Sequence, residues 1–153
     1  MLKGKLLHPH LIAALGRAGH SSRILIADGN YPFSTRRGPN AELVYLNLAP
    51  GVVEVTQVLA ALVQAVEVEA AAVMQPAKTG PYALKSDPDI FKDFSRILGA
   101  SARGQPPIPL QRLERFKFYQ EASSTDVCLS IATGEQRIYA NLLLTIGVVR
   151  SVN

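Results

Sequence analysis

Apolar residues along the chain fall into segments with helical spacing and segments that are nearly continuous. Spacings of three and four residues predict helices, and short continuous apolar runs between turn residues predict strands. On this basis we expect four helices, over residues 8–19, 55–66, 86–99 and 114–121. We expect six strands, over residues 23–27, 42–46, 70–74, 108–110, 126–133 and 141–146.

Particular residues set the predicted helix faces and helix ends. The apolar residues of the first helix share a face that we expect to be buried: Leu11, Ile12, Leu15 and Ala18. Gly19 is a stop signal for this helix, and Gly99 is expected to end the third helix in the same way.

The strand predicted at residues 23–27 decides the fold class. Ile24 to Ala27 are all apolar, which is typical of a strand covered on both faces rather than one. Helices alternate with strands along the chain, so we expect a three-layer α/β/α fold with a central largely parallel or mixed sheet. With no internal repeat or linker, residues 1–153 are expected to form a single domain.

Composition and charge indicate what kind of protein has this fold. The chain has 153 residues, a formal charge of +4 and 48% hydrophobic residues, which describes an ordinary globular domain. Its one cysteine, Cys128, excludes an intramolecular disulfide and a cysteine-based zinc site, and favours a reducing, cytoplasmic setting. No apolar run reaches the ~18 residues of a membrane helix, and no signal peptide is evident, so we expect no membrane partner.

Several familiar sites are absent from the sequence. There is no phosphate-binding G-x-x-x-x-G-K-[ST], no dinucleotide fingerprint and no nucleophile elbow. His8 and His10 lack a nearby third ligand and are better explained as surface residues at a helix start than as a metal site. The basic residues are scattered, so nucleic-acid binding is the weakest of the functions considered and no nucleic-acid partner is expected.

Polar residues at the strand ends are the candidates for chemistry. Asp28 follows a buried strand at its carboxyl end, where α/β sheets bind ligands, although an Asx turn also explains it. On spacing alone, His20 is better explained as a loop or capping residue. Tyr139 and Asn141 could hydrogen-bond a polar ligand or simply form a turn, and Arg115 could lie on a solvated helix face.

Taken together, these segments resemble the D-ribose pyranase / L-fucose mutarotase family over nearly the whole chain. The resemblance is carried by Gly19-His20 before the strand, Asp28-x-x-x-Pro32, Gln57-Val-Leu, Val68-Glu-Ala-Ala71, Arg115-Phe-x-Phe-Tyr119, and Gly134-Glu135-x-x-x-Tyr139-Ala-Asn141 with Gly147-Val148. It implies a cytoplasmic isomerase of carbohydrate metabolism that acts on a free monosaccharide. It also implies a homo-oligomer, in rings commonly of ten subunits, with sites near the subunit contacts.

The resemblance assigns roles to five residues. His20 matches the catalytic histidine, and Asp28, Tyr139 and Asn141 match sugar-binding positions. Arg115 matches an arginine of the fucose branch, whereas Tyr139-Ala-Asn141 looks more like the ribose branch, so the choice of sugar stays open. Residues 75–110 match the family poorly.

The expected reaction is the interconversion of sugar anomers or of pyranose and furanose rings by general acid–base ring opening. An imidazole can take up or give a proton near neutral pH, so this chemistry requires no cofactor and no metal. The alternative is a non-catalytic sugar-binding or regulatory module on the same scaffold.

Overall fold

A computed structural model describes residues 2–102 and 105–149. Its six-stranded sheet has the order β2-β5-β1-β6-β3-β4. The strands are β1 (Arg23–Ala27), β2 (Glu42–Tyr45), β3 (Val68–Met74), β4 (Leu110–Leu113), β5 (Val127–Ala132) and β6 (Leu142–Ile146). The helices are α1 (Pro9–Arg17), α2 (Val55–Leu62), α3 (Ile90–Ser101) and α4 (Arg115–Ala122). None of the helices in the described ranges has the length and apolar character needed to cross a membrane.

Strand direction defines the two edges to which the functional residues belong. β6 runs antiparallel to its neighbours β1 and β3, and all other pairings are parallel. Five strands therefore end where β6 begins, and we call this the carboxyl edge of the sheet. The opposite edge, where those five strands begin and β6 ends, is the amino edge.

Helices cover both faces of the sheet, which confirms the predicted three-layer α/β/α class. On one face, α1, α2 and α3 pack on Ile24, Ile26 and their neighbours to form the larger core. On the other face, Phe118 of α4 packs with Leu25 and Ala27. Successive residues of β1 thus serve opposite cores, as the continuous apolar run predicts.

Three local predictions are wrong, each for a physical reason. Ile12 is 37% exposed and Ala14 is buried in its place, because a helix advances about 100° per residue and Ile12 is turned away from Leu11. α3 continues through Gly99 to Ser101, since the helix is anchored by buried Phe94 and Leu98.

The fourth strand is displaced toward the C-terminus relative to its prediction. β4 spans Leu110–Leu113, paired in parallel with β3 from Ala71 to Met74. Pro107 and Pro109 have no backbone N–H to donate to a ladder, so regular pairing begins only after them.

Candidate functional site

A cavity of about 440 Å³ opens at the carboxyl edge of the sheet. This volume is in the range of small-molecule sites. Its lining residues come from the end of β3, from α4 and from the three loops that follow β1, β3 and β5: Asp28, Asn30, Tyr31, Met74, Tyr82, Arg115, Tyr119, Ile138, Tyr139 and Asn141. Four of the five predicted site residues, all but His20, therefore lie around one cavity.

Asp28 and Asn141 interlock at the base of this cavity. The Asp28 backbone N–H donates to Asn141 Oδ1 (3.0 Å), and Asn141 Nδ2 donates to Asp28 Oδ2 (3.1 Å). They meet because β1 ends where the antiparallel neighbour β6 begins. The Asn30 N–H also donates to Asp28 Oδ1 (3.0 Å), so the Asx turn and the pocket position occur together.

Burial gives the Asp28 carboxyl an unusual electrostatic setting. Only 3% of the residue is exposed, and this desolvation raises the pKa of Asp28 above its usual value, with a smaller contribution from the Glu135 charge. Hydrogen bonds from Asn30, Ala140 and Asn141 act in the opposite direction without cancelling the effect. A polar ligand therefore meets a fixed, poorly solvated hydrogen-bond acceptor.

Three tyrosine rings and the Arg115 guanidinium form one wall of the cavity, and Arg36 packs on one of these rings. Arg115 lies over the rings of Tyr119 (5.7 Å to the centroid) and Tyr82 (6.0 Å), and Arg36 lies over Tyr119 (5.7 Å). Tyr31 contacts Tyr119 edge-on and donates its hydroxyl to the carbonyl of Arg36. These contacts hold Arg115 in place while its charge stays available to a ligand hydroxyl.

Tyr139, like Tyr82 and Arg115, lines both this cavity and a second one beside the loop at residues 75–82. Its φ of +61° is unusual for a residue with a side chain, and such strain is concentrated at functional sites. The Tyr139 hydroxyl donates to the carbonyl of Tyr82 (2.8 Å) and accepts from the Ala77 N–H (3.3 Å). The phenol therefore ties the 75–82 loop to the pocket, and a ligand that accepts the Tyr139 hydroxyl proton must displace the Tyr82 carbonyl.

An ion-pair cluster anchors the loop that carries Tyr139 and Asn141. Arg137 donates to buried Glu135 from Nη2 (2.7 Å) and Nε (2.9 Å), and its Nη1 reaches Asp93 of α3 at 3.3 Å. Burial acts to raise the pKa of Glu135, but the Arg137 hydrogen bonds outweigh it and hold that pKa below its usual value. The loop is thus fixed to α3.

His20 lies at the amino edge, away from this cavity. It precedes β1, whereas Asp28 follows it, and five extended residues span roughly 17 Å. The His20 imidazole instead contacts Glu69 at the start of β3, with 3.1 Å between Nε2 and Oε2. A single chain does not bring His20 to the other four predicted site residues.

Sequence reasoning left several lining residues unassigned. Tyr119 belongs to the alternating Arg115-Phe-Lys-Phe-Tyr119 segment, where the aromatic pattern was a usable signal. Tyr82 lies in a loop without periodicity, so nothing in the sequence indicated it. Across the two ranges that the structure covers, no group of three or more His, Cys, Asp or Glu side chains is placed to hold a metal ion.

The fold and cavity are those of an α/β protein with a candidate small-molecule site at the carboxyl edge of its sheet. The model of the RbsD / FucU transport protein family matches residues 1–149, and the chain belongs to this family. The family includes proteins named fucose mutarotase and D-ribose pyranase.

Relatives of both kinds are similar to this chain over nearly its full length. Fucose mutarotase of Mus musculus is 31% identical over 156 residues, which cover 95% of this chain and 94% of the relative. D-ribose pyranase of Geobacillus kaustophilus is 28% identical over 149 residues, which cover 97% and 95%.

Solved structures share the fold. The fucose mutarotase from Streptococcus pneumoniae, in complex with L-fucose, has a TM-score of 0.77 at 22% identity and covers 94% of each chain. Bacillus subtilis RbsD, complexed with D-ribose, has a TM-score of 0.76 at 24% identity and covers 98% of this chain and all of its own. At these identities the two structures bear on the fold alone.

Proposed function

We propose that this protein is an isomerase that interconverts the anomers or ring forms of a free monosaccharide, fucose-like or ribose-like, without a cofactor. The observation that carries the proposal is that Asp28, Arg115, Tyr139 and Asn141 line one cavity of suitable size in a chain of this family. The single cysteine, which has no disulfide partner in the chain, supports a cytoplasmic location.

The reaction moves two protons. A base takes the proton of the anomeric hydroxyl while an acid gives one to the ring oxygen, so the bond from that oxygen to the anomeric carbon breaks. The open-chain aldehyde then recloses, either on its other face or through a different hydroxyl. We assign one of these proton transfers to His20 and the other to Tyr139, which together with Asp28, Asn141 and Arg115 also holds sugar hydroxyls.

His20 reaches a sugar in this scheme only from a second copy of the chain. Its side chain is 55% exposed at the amino edge, so it is available to another subunit. Contact between the amino edge of one copy and the carboxyl edge of the next joins two different surfaces, and contacts of this type form rings when the rotation from copy to copy closes. We therefore propose a homo-oligomeric ring, of ten subunits by resemblance to the family, with each site shared by two subunits.

The test is anomer exchange measured by saturation-transfer NMR over several pentoses, hexoses and their 6-deoxy forms. We expect faster exchange of a ribose- or fucose-like sugar, and a loss of about 10²–10⁴-fold in His20→Ala. His10→Ala, which removes an exposed histidine of α1, is the matched control and should behave as wild type. Unchanged exchange in His20→Ala would remove this residue from the mechanism.

A non-catalytic sugar-binding module is the second candidate. It is favoured by the absence of His20 from the cavity of its own chain and by the engaged hydroxyl of Tyr139. Sugar binding by calorimetry, with no acceleration of exchange for any sugar, would select this function.

A further inference from the structure

Glu69 is the residue whose side chain contacts His20 at the amino edge of the sheet. Their side chains are joined by the 3.1 Å contact between His20 Nε2 and Glu69 Oε2. They lie 49 residues apart in sequence, so the fold and not local geometry brings them together.

A β-bulge aims the Glu69 side chain. The pairing of β3 with β6 runs from Val68 opposite Ile146 to Ala70 opposite Thr145, which leaves Glu69 as the extra residue. Glu69 and Ala70 are consecutively exposed, so the inside–outside alternation of the strand is broken there. Bulges of this kind occur at sheet margins, where they redirect a side chain.

The turn that contains His20 also has an unusual backbone conformation. The Ser22 N–H donates to the Gly19 carbonyl at 3.1 Å, which places His20 and Ser21 at the centre of a four-residue turn. Ser21 has a φ of +67°, a value that favours glycine. Its N–H donates to the Ile146 carbonyl at 2.9 Å, so the end of β6 fixes the turn beside Glu69.

Gly147 leaves room for Glu69 in this arrangement. A Cβ at position 147 would lie 3.0 Å from the Glu69 Cβ, which is closer than real Cβ contacts readily allow. The Gly147 N–H donates to the Glu67 carbonyl at 3.0 Å, and this hydrogen bond holds Gly147 close to the segment that contains Glu67 and Glu69.

We propose that Glu69 is a positioning residue, which accepts the Nε2–H of His20 and leaves Nδ1 as the atom that exchanges a proton with the sugar. This inference rests on the proposed function, because it assigns an atom and an orienting partner to the same reaction. Which ring nitrogen carries the proton in a neutral histidine is set by the hydrogen bond that the other atom makes. Within residues 2–102 and 105–149 the His20 ring forms this one hydrogen bond, at Nε2.

The test uses two substitutions of Glu69 and two readouts. Glu69→Ala should lower kcat for exchange about tenfold with little change in KM, because Glu69 orients the imidazole without touching the sugar. In the two-bond ¹H–¹⁵N NMR spectrum of the sugar-free protein, His20 should change from the Nε2–H tautomer to a mixture. Glu69→Gln should preserve that tautomer and most of the rate, since its amide oxygen still accepts from Nε2–H.

Glu67→Gln is the control, because it changes a carboxylate of the same segment that is not paired with His20. Equal kcat in Glu69→Ala and wild type, or a His20 tautomer that Glu69→Ala leaves unaltered, would overturn the proposal. Failure of the proposed function is a separate result: exchange would then be unaffected by His20→Ala, while the tautomer spectrum would still report the contact with Glu69.

Discussion

Asp28 shows at the scale of one residue how burial prepares a group for ligand binding. Its carboxylate is removed from water yet accepts hydrogen bonds from Asn30 and Asn141, so the protein itself fixes its orientation. Keeping a charge in such a place costs stability, and the raised pKa of Asp28 expresses that cost. The buried Asp28 carboxylate therefore suits a candidate binding site but lowers the stability of the folded chain.

This cost predicts a pH dependence of stability. Because the pKa of Asp28 in the folded state lies above the unfolded value of 3.8, the folded chain holds this proton more tightly. As pH rises from 3.8 through the folded pKa, the free energy of unfolding of wild type should fall relative to that of Asp28→Asn. Urea unfolding across this window measures the difference.

Asp87 provides a control of opposite sign. The hydrogen bond from Arg112 holds the pKa of Asp87 below its usual value, so wild type should gain stability relative to Asp87→Asn as pH rises toward 3.8. Suppose instead that the free energies of unfolding of wild type and Asp28→Asn differ by a constant amount between pH 3.8 and the folded pKa of Asp28. In that case the Asp28 carboxyl would have to be hydrated in the folded protein.

At the scale of elements, the loop between β5 and β6 is positioned by close backbone packing. Gly134 lies so near the 49–52 turn that a Cβ there would be 2.3 Å from the Ala49 carbonyl oxygen and 2.4 Å from that of Val52. The Gly134 N–H also donates to the Val53 carbonyl at 2.9 Å. Together with the Arg137 ion pairs, this contact sets where Tyr139 and Asn141 enter the cavity.

Two glycine substitutions should therefore have opposite effects. Gly134→Ala should lower the free energy of unfolding by about 1–3 kcal/mol, because backbone atoms must move to admit the methyl group. Gly99→Ala should raise it by up to about 1 kcal/mol, since Gly99 is exposed inside α3 with nothing within 4 Å of the added Cβ. Chemical denaturation of both variants tests this, and a destabilised Gly99→Ala would contradict the helical assignment.

The sequence pattern predicted some of these elements correctly, whereas tertiary packing decided the end of another. The periodicity of 55–66 and the apolar run of 23–27 identified α2 and β1, because solvent exclusion acts on every turn of a helix and every residue of a strand. The same reasoning wrongly ended α3 at Gly99. The helix continues because the low helix propensity of glycine, about 1 kcal/mol, is outweighed by the packing of Phe94 and Leu98.

At the scale of the whole molecule, the separation of His20 from Asp28 makes assembly part of the proposed mechanism. A monomer has the four residues proposed to hold the sugar at one edge of its sheet and the His20 imidazole at the other. If two copies share each site, two inactive variants should complement each other. Mixing His20→Ala and Asp28→Asn under conditions of subunit exchange should restore about a quarter of the sites, since each half-site is intact in half of the copies.

Saturation-transfer NMR of the mixture measures the recovered exchange, and sedimentation reports the assembly. A mixture as inactive as its two components would contradict a shared site. A wild-type protein that sediments as a monomer and still accelerates exchange would contradict it as well.

The sequence by itself determined the layered α/β class, the family and the identity of five candidate residues, because apolar periodicity and short motifs are local properties of a chain. Tertiary structure alone decided which of them meet. Asp28 and Asn141 are 113 residues apart and touch because β1 and β6 are antiparallel neighbours, whereas His20 and Asp28 are close in sequence and separated by the length of a strand. Strand order and direction depend on how the whole sheet packs against its helices, and no local pattern encodes them.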